Sequence, residues 1–158
     1  MDPKLNNGKV LYPELSYKIY GLCFEAHNKL GRYLNERQYC DYLERLFKEN
    51  GINYVREKSL PVSFVGEKEG RNIPDFIIED GIILDLKAKF IVTKQDYYQM
   101  QRYLNSYNKK LGLIVNFRKH YLAPRRVLNS NYENVEEVDK KFSFDNSINK
   151  LKKYLRHS

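Results

Sequence analysis

The sequence predicts an α/β domain with a mixed central sheet flanked by helices, in the order α-α-β-β-β-α-β. Three observations carry that expectation. Two amphipathic helical stripes with marked ends fill residues 14–51, and the apolar period falls to two over 52–90. A capped helix at 94–108 then leads into the continuous apolar run LGLIVNF, residues 111–117.

The first helix, 14–30, places Leu15, Ile19, Leu22, Cys23, Ala26 and Leu30 on one stripe and stops at Gly31. The second starts after Asn35, an N-cap with Gln38 three positions on, and runs through Tyr39, Leu43, Leu46 and Phe47 to Gly51. INYVREKSLPVSFV, RNIPDFIIE and IILDLKAKF, separated by GEKEG and EDG, read as an antiparallel meander of three strands. Thr93 and Asp96 mark the start of the third helix, and Tyr97, Met100, Leu104 and Tyr107 share its apolar face. LGLIVNF reads as an inner strand buried on both faces. YLAPRRVL reads as an edge strand, residues 129–141 as polar loop, and DNSINKLKKYLRH as a short basic C-terminal helix.

With 158 residues, 42% of them hydrophobic and 30% charged, the chain has the size and balance of one globular domain spanning 1–158, its core at about 14–127. The formal charge of +8 makes polyanions the first partner class to consider. The N-terminus has no apolar signal region and no stretch has the length of a membrane span, so the expectation is a cytoplasmic protein without a membrane partner. Cys23 and Cys40 lie in amphipathic helices with no metal-type spacing and read as buried reduced thiols.

The polar residues of IPDFIIEDGIILDLKAKF, 73–90, interrupt runs that are otherwise apolar enough to be buried. On the third strand Ile83, Asp85, Lys87 and Lys89 share one face, while Ile82, Leu84, Leu86, Ala88 and Phe90 share the core face. Two turn lengths compete for the hairpin. A two-residue turn at Asp80 and Gly81 sets Asp75 opposite Leu86 and separates the aspartates; a three-residue turn of Glu79, Asp80 and Gly81, with Gly81 left-handed, pairs Asp75 with Asp85. In the second register two like charges oppose each other, which a divalent cation such as magnesium relieves. Lys87 would then lie beside metal-bound water and a scissile phosphate. A charged, solvated hairpin face is the competing reading, and D/E-x-K also occurs at Asp2 to Lys4 and at Asp139 to Lys141. Glu36 is equally well explained as a first-turn acid complementing the helix dipole.

Taken together, Pro74-Asp75, Asp85-Leu86-Lys87 and the following helix resemble the PD-(D/E)XK nuclease superfamily. More narrowly, residues 15–117 resemble the GxxExxY proteins through FEAHNKLG, Glu36-x-x-Tyr39, PVSFVG, PDFIIED, ILDLKA, Gln99-x-x-x-Tyr103-Leu104 and LGLIVNF. Tyr33 stands where that family has the glycine of its name.

The resemblance implies a restriction-endonuclease-like core and a metal-dependent nuclease acting on phosphodiester bonds, DNA being the favoured nucleic acid. It implies Mg2+, for which Mn2+ substitutes, held by Asp75, Asp85, the Leu86 carbonyl and Glu36, with Lys87 and Gln99 completing the catalytic set. Lys89, Arg102, Tyr103 and Arg126 are the candidate nucleic-acid contacts. The alternatives are an inactive nucleic-acid-binding module of the same fold and a partner-binding accessory domain.

Overall fold

A computed structural model describes residues 12–132. It contains α1 (Pro13–Leu30), α2 (Glu36–Glu49), β1 (Tyr54–Arg56), β2 (Phe76–Ile78), β3 (Ile82–Lys87), α3 (Lys94–Tyr107), β4 (Leu111–Asn116) and β5 (Arg125–Leu128). The expected C-terminal helix and most of the polar loop before it lie outside the described residues.

The five strands form one sheet in chain order, β1-β2-β3-β4-β5. The β1–β2, β2–β3 and β4–β5 pairs are antiparallel, whereas β3–β4 is parallel. A parallel neighbour needs a crossover, and α3 supplies it. The sheet is therefore mixed, as the sequence predicts, and helices cover both of its faces. Ile82, Leu84 and Leu86 of β3 join the larger core with α1 and α2, while Ile83, Ile77 and Ile114 pack with Met100, Tyr103 and Leu104 of α3. All six residues of β4 are buried, which is why that strand reads as an uninterrupted apolar run.

Two expectations about the meander change. The predicted strands at 52–65 and 71–79 shrink to three residues each. Glu57 takes a left-handed conformation with φ 54° and ends β1, and proline at 61 and 74 cannot donate to a ladder. Isolated bonds, Glu57 N–H to Asp75 O at 3.0 Å and Leu60 N–H to Asn72 O at 2.7 Å, hold the irregular segment beside the sheet. The third strand ends at Lys87 rather than Phe90.

The hairpin loop has three residues, because Phe76 pairs with Leu84, Ile77 with Ile83 and Ile78 with Ile82. Its left-handed positions, however, are Glu79 (φ 51°) and Asp80 (φ 50°), not Gly81. Glu79 is held there from β1, since its N–H bonds Asn53 O and its carboxylate takes the Asn53 N–H, both at 2.9 Å. Gly81 serves a different need: a Cβ there would come within 3.1 Å of the Tyr12 ring.

Cys23 and Cys40 are buried free thiols, and burial pushes Cys23 up to about 12. No helix among the described residues is long and apolar enough to cross a membrane.

Candidate active site

The odd-numbered side chains of β3 point toward α3, so Asp85 and Lys87 lie on the α3 side with Ile83. The register that sets Ile77 against Ile83 puts Asp75 against Asp85 just beyond the end of β2. The two aspartates thus share a face. Pro74 explains why the strand ends there, for it has no N–H to give to the Leu86 carbonyl opposite it. Asp75 takes over part of the ladder: its Oδ2 accepts the Leu86 N–H at 2.7 Å, and its own N–H lies 3.4 Å from Asp85 Oδ1. Proline followed by aspartate frees a backbone carbonyl beside two carboxylates.

Asp85 is 5% exposed and makes a 2.8 Å ion pair with Lys87 Nζ. The same ammonium donates to Gln99 Oε1 at 2.7 Å, and Asp96 Oδ1 lies 3.8 Å away. An ammonium has three N–H groups, so these two short bonds leave one for a further acceptor. Gln99 reaches Lys87 because α3 crosses back over β3. In the sequence they lie 12 residues apart on different elements, and the crossover joins them.

Electrostatics differ sharply within this cluster. Burial, and then the neighbouring Asp85 charge, push the Asp75 carboxyl up to about 8, against the opposing pull of the Leu86 N–H. Burial alone would lower Lys87, but Asp85 outweighs it, followed by Glu36 and Asp96, and the net shift is upward. These neighbours favour the charged ammonium, which suits Lys87 to stabilising negative charge. Burial would raise Asp96 too, yet the Thr93 N–H and Lys89 outweigh it and hold it below the usual carboxylate range.

Glu36 opens α2 and is exposed; Asn35 accepts the Gln38 N–H and Gln38 the Asn35 N–H, both at 3.0 Å, so the cap does not use Glu36. Its charge raises Asp75 and Lys87, which puts it near the pair. It does not join them in a common ligand cluster, since no three His, Cys, Asp or Glu side chains among the described residues are grouped to hold an ion. An open pocket beside Glu36 is lined by Asn35, Arg37, Ala88 and Arg118.

The α1–α2 loop that positions Glu36 is latched twice. The buried Tyr39 hydroxyl donates to Gly31 O at 2.6 Å and accepts the Leu34 N–H at 3.3 Å. Arg118 donates to Arg32 O at 2.8 Å and Leu34 O at 3.2 Å. Arg118 was not among the sequence candidates, because nothing local distinguishes it from other surface arginines.

The remaining candidates divide. Lys89 is engaged by Asp96 at 2.9 Å. Tyr103 is 5% exposed and donates to Ile73 O at 3.3 Å, so it lies under the site and not where a base could stack on it. Arg102 is exposed on α3. Arg126 pairs with Leu113, on the α1–α2 side of the sheet, and donates to Ser16 Oγ at 3.1 Å; it is on the opposite face from Asp85.

Two acidic side chains beside a backbone carbonyl fit what magnesium takes from a protein, one or two carboxylates with the remaining positions left to phosphate oxygens and water. A zinc site would need a fuller donor set.

The family model described as the PD-(D/E)XK nuclease superfamily matches residues 13–127. No curated protein and no solved structure matches the chain.

Proposed function

The chain belongs to the PD-(D/E)XK nuclease superfamily, and on that premise we propose that it hydrolyses phosphodiester bonds in nucleic acid, with DNA the favoured substrate. The observation that carries this reading is the pair of half-buried Asp75 and buried Asp85 on one face with Lys87, whose ammonium is fixed between Asp85 and Gln99. Asp75, Asp85 and the Leu86 carbonyl would hold a magnesium ion, with Glu36 reaching it through water from the mouth of α2. When bound, such an ion would offset the carboxylate charge and polarise a water and a phosphoryl oxygen for attack.

The chain's own residues supply the rest. Lys87 turns its remaining N–H toward the phosphate or the attacking water and stabilises charge as it builds on the phosphoryl oxygens. Gln99 fixes where that N–H points. Burial of Asp85 and Lys87 strengthens their mutual field by excluding bulk water. We place the chain in the GxxExxY branch on Glu36 and Tyr39, the latter latching the loop from which Glu36 projects.

Calorimetric titration of manganese into the wild type and Asp85→Ala tests the site, followed by incubation of both with single- and double-stranded DNA. The wild type is expected to bind the ion and cut, and the variant to do neither. Equal metal binding by the two proteins refutes the site. Metal binding with no cleavage leaves a binding module in place of a nuclease.

A further inference from the structure

Phe90 is 86% exposed, three residues beyond Lys87 on the bend that follows β3. The bend is nonetheless held at the residues just before it. Asn116, buried at the end of β4, accepts the Lys89 N–H at 3.1 Å and donates to the Lys89 carbonyl at 2.8 Å, while Phe117 N–H bonds Lys87 O at 2.8 Å. The buried Asn116 amide thus binds both backbone groups of Lys89, and its oxygen also accepts the Arg118 N–H at 3.2 Å. The Lys119 ammonium, from the segment after β4, lies over the Phe90 ring at 5.3 Å from its centroid. Ile91, next in the chain, is 59% exposed.

A phenyl ring left in water by a flexible loop needs no explanation, but a ring presented on a clamped bend is preorganised for a flat partner. A cation at the same ring offers an anionic group on that partner a place to pair. Nucleobase and phosphate together have that chemistry, and aromatic platforms beside basic groups are how unpaired strands are gripped without regard to sequence. Three residues extend at most about 11 Å, so a base on Phe90 belongs to a nucleotide close to the phosphate at Lys87.

We infer that Phe90, held by Asn116 and flanked by Lys119, is a stacking platform for an unpaired base next to the cleavage site. The protein therefore prefers single-stranded or frayed nucleic acid to intact duplex. The strand preference rests on the nuclease reading above; the stacking itself does not.

The chain has no tryptophan, so Phe90→Trp introduces a single reporter at the platform. Its fluorescence is read without added metal against a single-stranded deoxyoligonucleotide, the same sequence as duplex, and inorganic polyphosphate. Quenching by the single strand, with little from the duplex or polyphosphate, is expected. Phe90→Ala and Phe90→Leu should each weaken single-strand binding by roughly 5- to 150-fold, the range that loss of one stacked base gives, with unchanged thermal unfolding. Equal quenching by polyphosphate, or unchanged affinity in both variants, overturns the platform, including in favour of a protein partner at this ring. Cleavage of the same oligonucleotides in manganese is scored separately: quenching without cleavage refutes the nuclease and keeps the platform, whereas cleavage that ignores Phe90→Ala on both substrates refutes the platform and keeps the nuclease.

Discussion

Asp75 and Asp85 face each other just past the end of the β2–β3 ladder, the Asp75 N–H 3.4 Å from Asp85 Oδ1 and the Asp75 Oδ2 2.7 Å from the Leu86 N. Side-chain bonds thus continue a ladder that Pro74 interrupts, at the cost of bringing two acids together in a buried place.

That cost has a sign in pH. The folded-state pKa of Asp75 is raised, to about 8 from an unfolded value of 3.8, so the folded protein holds more protons than the unfolded chain between those limits. Stability without metal is full below the unfolded pKa and falls as pH rises toward the folded one. Urea midpoints measured across that window are expected to decline, and Asp75→Asn should flatten the slope. A divalent cation should stabilise more at the alkaline end, where it no longer competes with a proton; a slope unchanged in Asp75→Asn would refute the assignment.

Lys87 and Gln99 separate positioning from charge. Lys87→Met removes the cation and should lower the cleavage rate by about 10²–10⁴-fold. Gln99→Leu leaves the cation and removes its second acceptor, a loss of about 1 kcal/mol and so of roughly fivefold. The loss should fall on kcat with manganese affinity unchanged. A Gln99→Leu defect confined to metal affinity would contradict the geometry.

Tyr39→Phe deletes a buried hydroxyl that both donates to Gly31 and accepts from Leu34. We expect a stability loss of about 1–3 kcal/mol by denaturant titration, since the Leu34 N–H and Gly31 carbonyl lose a partner away from bulk water. Activity should fall further than stability, because the same loop carries Glu36. Tyr33→Gly, at the exposed position beside it, should change stability little.

Gly112 in β4 lies under α3, where a Cβ would overlap the Met100 side chain. Gly112→Val should destabilise by about 1–3 kcal/mol through overpacking and weaken the Lys87–Gln99 bond by lifting α3. Met100→Ala in the same chain makes room, so the double variant is expected to be more stable than the sum of the two single losses.

The helices were legible because their signals are local. Asn35 and Gln38 form the cap that their spacing predicts, and the stripe from Ile19 to Ala26 is the buried face of α1. LGLIVNF announced a strand buried on both sides because β4 has a neighbour on each edge and helices above and below. The lengths of β1 and β2 were not legible, since the strand-like pattern continues through 57–65 and starts again at 71 while the backbone, turned at Glu57 and deprived of donors at Pro61 and Pro74, does not follow it. Gly81 misled in the same way: it looked like a left-handed turn residue, and it is small because Tyr12 packs on it.

By itself the sequence determined the order of elements, their mixed sheet, and that Asp85 and Lys87 share a face, because strand alternation is set by covalent geometry. Only the tertiary structure decided that Asp75 lies opposite Asp85, since register depends on a loop whose conformation Asn53, just before β1, helps to hold. It decided likewise that Gln99 grips Lys87, that Arg126 sits on the far side of the sheet, and that Lys87 keeps its proton. Those are sums over groups distant in the chain, and electrostatic and packing energies depend on where such groups meet in space rather than on the residues beside them.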